Sequence, residues 1–136
     1  MQSSFLTGEF RHTLDDRSRV AVPVRFRQRL SQGATLARWL DNCLGLFPQD
    51  AWDELAGKLS ALPLTNTSAR QFARFMSSGA VEVELDKQGR ILVPGYLREY
   101  AGLSYIHGDS GPFLIREVYE GTDGTRRYLI LPDSQT

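Results

Sequence analysis

The sequence predicts an α+β fold built from two pseudo-symmetric copies of one strand, turn, strand and helix unit, on three observations. First, Leu14-Asp15-Asp16-Arg17-Ser18-Arg19-Val20-Ala21-Val22-Pro23 returns as Leu85-Asp86-Lys87-Gln88-Gly89-Arg90-Ile91-Leu92-Val93-Pro94. One offset (86 − 15 = 71) superposes Gly8 on Gly79, Leu14 on Leu85, Arg19 on Arg90, Val22 on Val93, Pro23 on Pro94 and Arg27 on Arg98, so the chain contains an internal repeat. Second, each copy has an apolar or alternating run before its turn and a short run of helical spacing after its proline. Third, two longer stretches of helical spacing lie between the copies.

Residues 5–14 start with an apolar anchor and a glycine and run into a strand, with Phe10, His12 and Leu14 on one face and Glu9, Arg11 and Thr13 on the other. His12 therefore reads as a packed or hydrogen-bonded strand residue. After Pro23, Phe26 and Leu30 stand four apart with Arg25, Arg27, Gln28 and Arg29 between them, which predicts a short amphipathic helix over 24–30. The three arginines read as a solvated helix face in preference to a binding surface. Residues 35–40 and 43–47 predict two strands about the polar turn Asp41-Asn42.

Pro48 then starts the longest helical pattern, with Trp52, Leu55, Ala56, Leu59 and Leu62 inward, and Pro63 closes it. A second helix is expected over 67–78, with Ala69, Phe72, Phe75 and Met76 inward and Thr65, Asn66 or Thr67 as its cap. In the second copy Val81, Val83 and Leu85 alternate with Glu82 and Glu84, the period of a strand with one buried face. Asp86 to Gly89 is the turn, Asp86 bonding nearby amides and Gly89 supplying a positive φ. Ile91-Leu92-Val93 follows as a buried strand that Pro94 ends. Asp and Arg four apart thus stand at the two feet of one hairpin tip. Residues 95–101 mirror 24–30, and the chain after Leu103 reads as a loop and a hairpin with a Gly-rich turn at 121–124.

The 136 residues suit one domain, or two small units sharing a core, and 41% hydrophobic with 24% charged residues is ordinary for a soluble globular protein. No run reaches the roughly 20 apolar residues of a membrane span, and the start lacks a secretory layout, so the cytoplasm is expected. Cys43 is the only cysteine and reads as a buried structural thiol. No metal site is expected, because His12 and His107 are far apart and neither has a second ligand at suitable spacing. No catalytic residue or cofactor is assigned: phosphate-loop, nucleophile-elbow and His-Glu-x-x-His patterns are all missing. Sixteen basic and sixteen acidic residues cancel, yet six arginines against two aspartates between Arg11 and Arg29 leave a local excess (6 − 2 = +4). Local distribution is what a phosphate surface requires.

The pattern Gly-Glu-Phe-x-His-x-Leu-Asp near the N-terminus, the Arg-x-x-Val-Pro that closes the first copy, the second Asp-x-x-x-Arg copy, Cys43-Leu44-Gly45-Leu46-Phe47-Pro48 and Trp52 together resemble the MraZ family of bacterial transcriptional regulators over residues 5–103. The resemblance implies swapped-hairpin units similar to AbrB and SpoVT, forming a double-split β-barrel with packed helices. The units expected are 5–50, a bracing helical pair at 51–78, and 79–132 with a divergent C-terminal part. Where the family usually has Lys-Gly in the first turn, this chain has Arg17-Ser18, so that turn is expected to survive in a slightly altered conformation.

The resemblance also implies a sequence-specific repressor of the division and cell-wall gene cluster, including its own gene. Its partners would be repeated promoter boxes of double-stranded DNA, bound at the nucleoid, and further copies of itself in a ring-like homo-oligomer. Arg19 and Arg90 are then the candidates for bases or phosphates, Arg17 and Lys87 for added phosphates, and Asp15 and Asp86 for orienting the turns. An antitoxin-type regulator with the same hairpin unit and a protein-only assembly factor are the other readings.

Overall fold

The computed structural model describes residues 9–12, 17–103, 105–106, 109–110, 113–120 and 125–132. Its elements are β1 (Glu9–His12), β2 (Arg19–Ala21), α1 (Val24–Leu30), β3 (Ala34–Arg38), β4 (Leu44–Pro48), α2 (Gln49–Ser60), α3 (Thr67–Ser78), β5 (Val81–Val83), β6 (Arg90–Leu92), α4 (Gly95–Ala101), β7 (Tyr105–Ile106), β8 (Asp109–Ser110), β9 (Phe113–Glu120) and β10 (Thr125–Pro132). The fold is α+β with antiparallel sheets.

A three-residue strand followed closely by a proline has too few ladder bonds to hold its shape alone, and β2 and β6 solve this by pairing with each other. Val20 lies opposite Ile91, its twin under the offset of 71, so a local two-fold axis runs through that pair. The flanking bonds obey the same symmetry: the Val22 amide donates to the Gly89 carbonyl at 2.9 Å and the Val93 amide to the Ser18 carbonyl at 3.0 Å. Each proline carbonyl then accepts the first bond of its helix, from Phe26 and from Leu97.

The two strands flanking the second turn do not pair with each other, which corrects the simple hairpin read from the sequence. β5 pairs with β3 of the first copy, and β1 of the first copy pairs with β9 of the second. The resulting six-stranded sheet has the order β1-β9-β10-β4-β3-β5 and is itself two-fold about the β4/β10 seam, where Gly45 faces Leu129. Exchange of strands between copies is what the term swapped hairpin describes.

The stretch after Leu103 completes this symmetry. Phe10 faces Ile115 as its twin Val81 faces Leu36, so Ile115 is the counterpart of Leu36 at an offset of 79 (115 − 36). Ile115 faces Ile130 as Leu36 faces Leu46, which raises the offset to 84 (130 − 46). Extra residues that include β7 and β8 enter before β9, and more enter at the β9–β10 connection, whose residues 121–124 lie outside those described.

Alternation along β3, β4 and β10 gives the sheet two apolar faces. Leu36, Leu44, Leu46, Tyr128 and Ile130 pack with Val20, Phe26, Leu30, Ile91 and Leu97 in one core. Ala37 and Phe47, with Trp39, Cys43 and Met76, form a second core under α2 and α3, where the Trp39 ring lies 5.5 Å from Phe47 and 6.1 Å from Phe72. Pro48 is the last residue of β4, immediately before α2, and α2 stops at Ser60, before Pro63. Asn66 caps α3, its side-chain oxygen accepting from the Ala69 amide at 3.0 Å.

Each repeat turn carries left-handed backbone at the same place, Ser18 at φ 63° and its twin Gly89 at φ 77°. The serine keeps the glycine conformation of the second copy and bears its steric cost. A Cβ built at Gly89 would fall within the Arg27 guanidinium, so a side chain there would displace Arg27 from its bond to the Val22 carbonyl. Ser18→Gly is expected to stabilise the protein by about 0.5–1 kcal/mol and Gly89→Ala to destabilise it by more than about 1 kcal/mol, both in urea unfolding. Truncation after Leu103 removes Tyr128 and Ile130, each 0% exposed. The truncated chain is expected to lose its cooperative thermal transition by circular dichroism.

Candidate functional site

Because β2 and β6 alternate, the side chains beside the buried Val20 and Ile91 all point to the opposite, outer face of the ribbon. That face carries Arg19 opposite Leu92 and Ala21 opposite Arg90, so the two arginines sit diagonally on one surface. Arg17 and Lys87, from the two turns, are exposed.

Asp86 organises the second turn. Its Oδ1 accepts from the Gln88 amide at 2.9 Å and the Arg90 amide at 2.8 Å, while Oδ2 accepts from Arg90 Nε at 2.9 Å. The Asp86 amide donates to the Arg90 carbonyl and the Gly89 amide to the Asp86 carbonyl, both at 2.9 Å. Gln88 adds a side-chain oxygen that accepts from Arg90 Nη2 at 3.1 Å. Arg19 approaches the same carboxylate from across the ribbon, Nη1 to Oδ2 at 4.0 Å. Asp86 thus gathers Arg19 and Arg90, whose side chains are 24% and 27% exposed. Its own pKa is lowered, first by the Arg90 amide and then by the Arg90 guanidinium and the Gln88 amide, against the partial desolvation that raises it. Asp15, the counterpart expected to orient the first turn, lies outside the described residues.

Arg27 and Arg98 form a second tier. Each donates its Nε back to the carbonyl five residues earlier, Arg27 to Val22 at 2.8 Å and Arg98 to Val93 at 3.1 Å. Arg27 therefore locks its helix to the ribbon and covers Gly89, whereas the sequence reading placed it on a solvated face. The signal was present, since Arg27 and Arg98 superpose in the repeat, but nothing in the pattern assigned them a task. Leu92 departs from the buried strand expected of 91–93: it is 59% exposed while Ile91 and Val93 are buried, because a strand alternates. No group of three or more His, Cys, Asp or Glu residues suited to a metal ion occurs among the described residues.

A family model described as "MraZ protein, putative antitoxin-like" matches residues 5–75 and 76–117. The chain belongs to the MraZ family. A Transcriptional regulator MraZ of Moorella thermoacetica is 52% identical over 96 residues, 71% of this chain and 67% of the relative. MraZ relatives carrying the same name from Roseiflexus castenholzii and Desulforamulus reducens are 49% and 52% identical over the same length. Both turns that characterise the MraZ pattern fall in the matched region.

The hydrogen bonds of Asp86 fix the direction of its pH dependence. A carboxyl whose folded pKa lies below its unfolded value stabilises the fold above the unfolded pKa, and that contribution is lost as pH falls through the folded pKa. The Asp86 carboxyl resonance is expected to titrate with a midpoint below the ordinary value of 3.8. The turn amides of Gln88 and Arg90, which donate to this carboxylate, should change their shifts with the same midpoint. A midpoint at or above the ordinary value would contradict the bonding described.

Proposed function

We propose that this protein is a sequence-specific DNA-binding transcriptional regulator that represses the division and cell-wall gene cluster, its own gene included. The relatives are named as regulators of transcription rather than as enzymes, which supports the broad class. The observation that carries the DNA reading is the placement of Arg19 and Arg90 on one outward ribbon face, held by a shared carboxylate. A two-stranded ribbon fits a major groove about 12 Å wide, and guanidinium groups fixed before binding lose less entropy when they meet a base edge or phosphate.

In this proposal Arg19 and Arg90 contact bases or phosphates, and the exposed Arg17 and Lys87 add phosphate contacts. Asp86 orients its tip, and Asp15 is assigned the same task in the first turn. The chain acts in the cytoplasm at the nucleoid, as a ring-like homo-oligomer whose neighbouring subunits engage repeated promoter boxes. Several modest sites on one body then act at high effective concentration, which offsets a net charge of zero. Residues 5–50 and 79–132 are assigned as the two SpoVT/AbrB-like units, the second with a divergent C-terminal part, and residues 51–78 as their brace.

Two substitution pairs test the assignment in gel shifts with the protein's own upstream DNA against scrambled duplex. Arg19→Ala and Arg90→Ala are each expected to weaken specific binding about tenfold or more, with melting temperature and subunit number nearly unchanged. Arg17→Ala and Lys87→Ala are each expected to weaken specific and scrambled duplex alike and to reduce the slope of log affinity against log salt by about one. Loss of folded protein in parallel with loss of binding would leave the arginines as structural groups only. The family description also supports an antitoxin-type reading, which requires a toxin chain that copurifies and is neutralised.

A further inference from the structure

The outer face of the β2–β6 ribbon carries a large apolar side chain that neither the core nor a phosphate contact requires. Leu92 is 59% exposed, directly opposite Arg19, while the neighbouring Ile91 and Val93 are each 1% exposed. Its symmetry twin is Ala21, opposite Arg90. The two arginines therefore have unlike neighbours, a leucine ridge beside one and a single methyl beside the other. One exposed leucine is unremarkable by itself. Here its direction is fixed by the ladder, and it stands on the same face as two guanidinium groups.

We propose that Leu92 determines sequence specificity by packing against the C5-methyl group of a pyrimidine in the major groove, beside the contact made by Arg19. The proposal rests on the DNA-binding reading above. Among the groups a base pair shows in the major groove, the C5-methyl is the one bulky apolar group; unmethylated cytosine shows only a hydrogen there, and the other features are donors or acceptors. A leucine beside a guanidinium matches a methyl beside a hydrogen-bonding edge or a phosphate. A second copy meeting this face through the same face is a poorer occupant, because two such surfaces would bring Arg19 and Arg90 against arginines of like charge, whereas DNA brings phosphates. The Leu92/Ala21 inequality also means that the two halves of the ribbon would not read the same base step.

The shared chemistry is a 5-methylpyrimidine, and thymine and 5-methylcytosine both supply it. The test uses the full chain and its upstream duplex, with single deoxyuridine-for-thymidine and single 5-methyldeoxycytidine-for-deoxycytidine replacements, against wild type and Leu92→Ala. If thymine is read, uracil at one position lowers wild-type affinity about fourfold, the value of one buried methyl, and Leu92→Ala no longer distinguishes thymine from uracil there. If methylcytosine is read, one methylated position gains a similar factor that Leu92→Ala abolishes. Equal responses of wild type and Leu92→Ala at every position would overturn the proposal. So would a change of subunit number in Leu92→Ala with no change in base discrimination. Failure of the wild type to prefer its upstream duplex over scrambled DNA would overturn the DNA-binding reading itself, and this inference with it.

Discussion

The antiparallel contact between β2 and β6, centred on Val20 and Ile91, is the constraint from which the rest follows. Each strand has three residues and is cut off by a proline that has no amide to extend a ladder. Neither copy can satisfy its own short strand locally, because the strand on the other side of its turn is used in the large sheet. The copies must therefore exchange partners, and the exchange brings both turns to the two ends of one ribbon. Burial of Val20, Val22, Ile91 and Val93, each at most 1% exposed, then fixes which side chains face outward. The outward position of Arg19 and Arg90 is thus a consequence of core packing and strand period.

Stability and the proposed DNA contact place different demands on the same turn. Asp86 bonds two amides and one guanidinium and approaches a second guanidinium, an arrangement that solvent-screened charges do not need for stability alone. What the arrangement achieves is definition: the arginine fork has one orientation, set by Asp86 and Gln88. Arg27 and Arg98 do similar work one tier inward, tying each helix to the carbonyl just before its proline. The two turn sequences are not equivalent. Under the repeat, Asp16 corresponds to Lys87, Arg17 to Gln88 and Ser18 to Gly89, so the two copies differ in charge at matching positions.

Much of this was legible in the sequence where the signal is local. The helices over 24–30, 67–78 and 95–101 end where their spacing and caps place them, and two strands form about Asp41-Asn42 as expected. Partner choice was not legible, because the pattern of β5 and β6 is the same whether they pair with each other or with strands of the other copy. The C-terminal hairpin was recognised as a hairpin but not placed. Added residues shift its offset from 71 to 79 and 84, so β9 and β10 no longer align with β3 and β4 although they occupy the equivalent positions in the sheet. The candidate site was half legible. Repetition singled out Arg19 and Arg90, but the inward turn of Arg27 and the outward turn of Leu92 depend on tertiary packing and on strict alternation in a run that looks uniformly apolar.

The central claim is that one surface, the outer face of the β2–β6 ribbon with its two turns, meets DNA. Amide chemical-shift mapping of the isotope-labelled protein during titration with its own upstream duplex tests this most directly. The account predicts that the perturbed amides cluster in residues 17–21 and 87–92, with α2 and α3 nearly silent. Perturbations centred on α2, α3 or the β5 edge, with the ribbon unaffected, would contradict it.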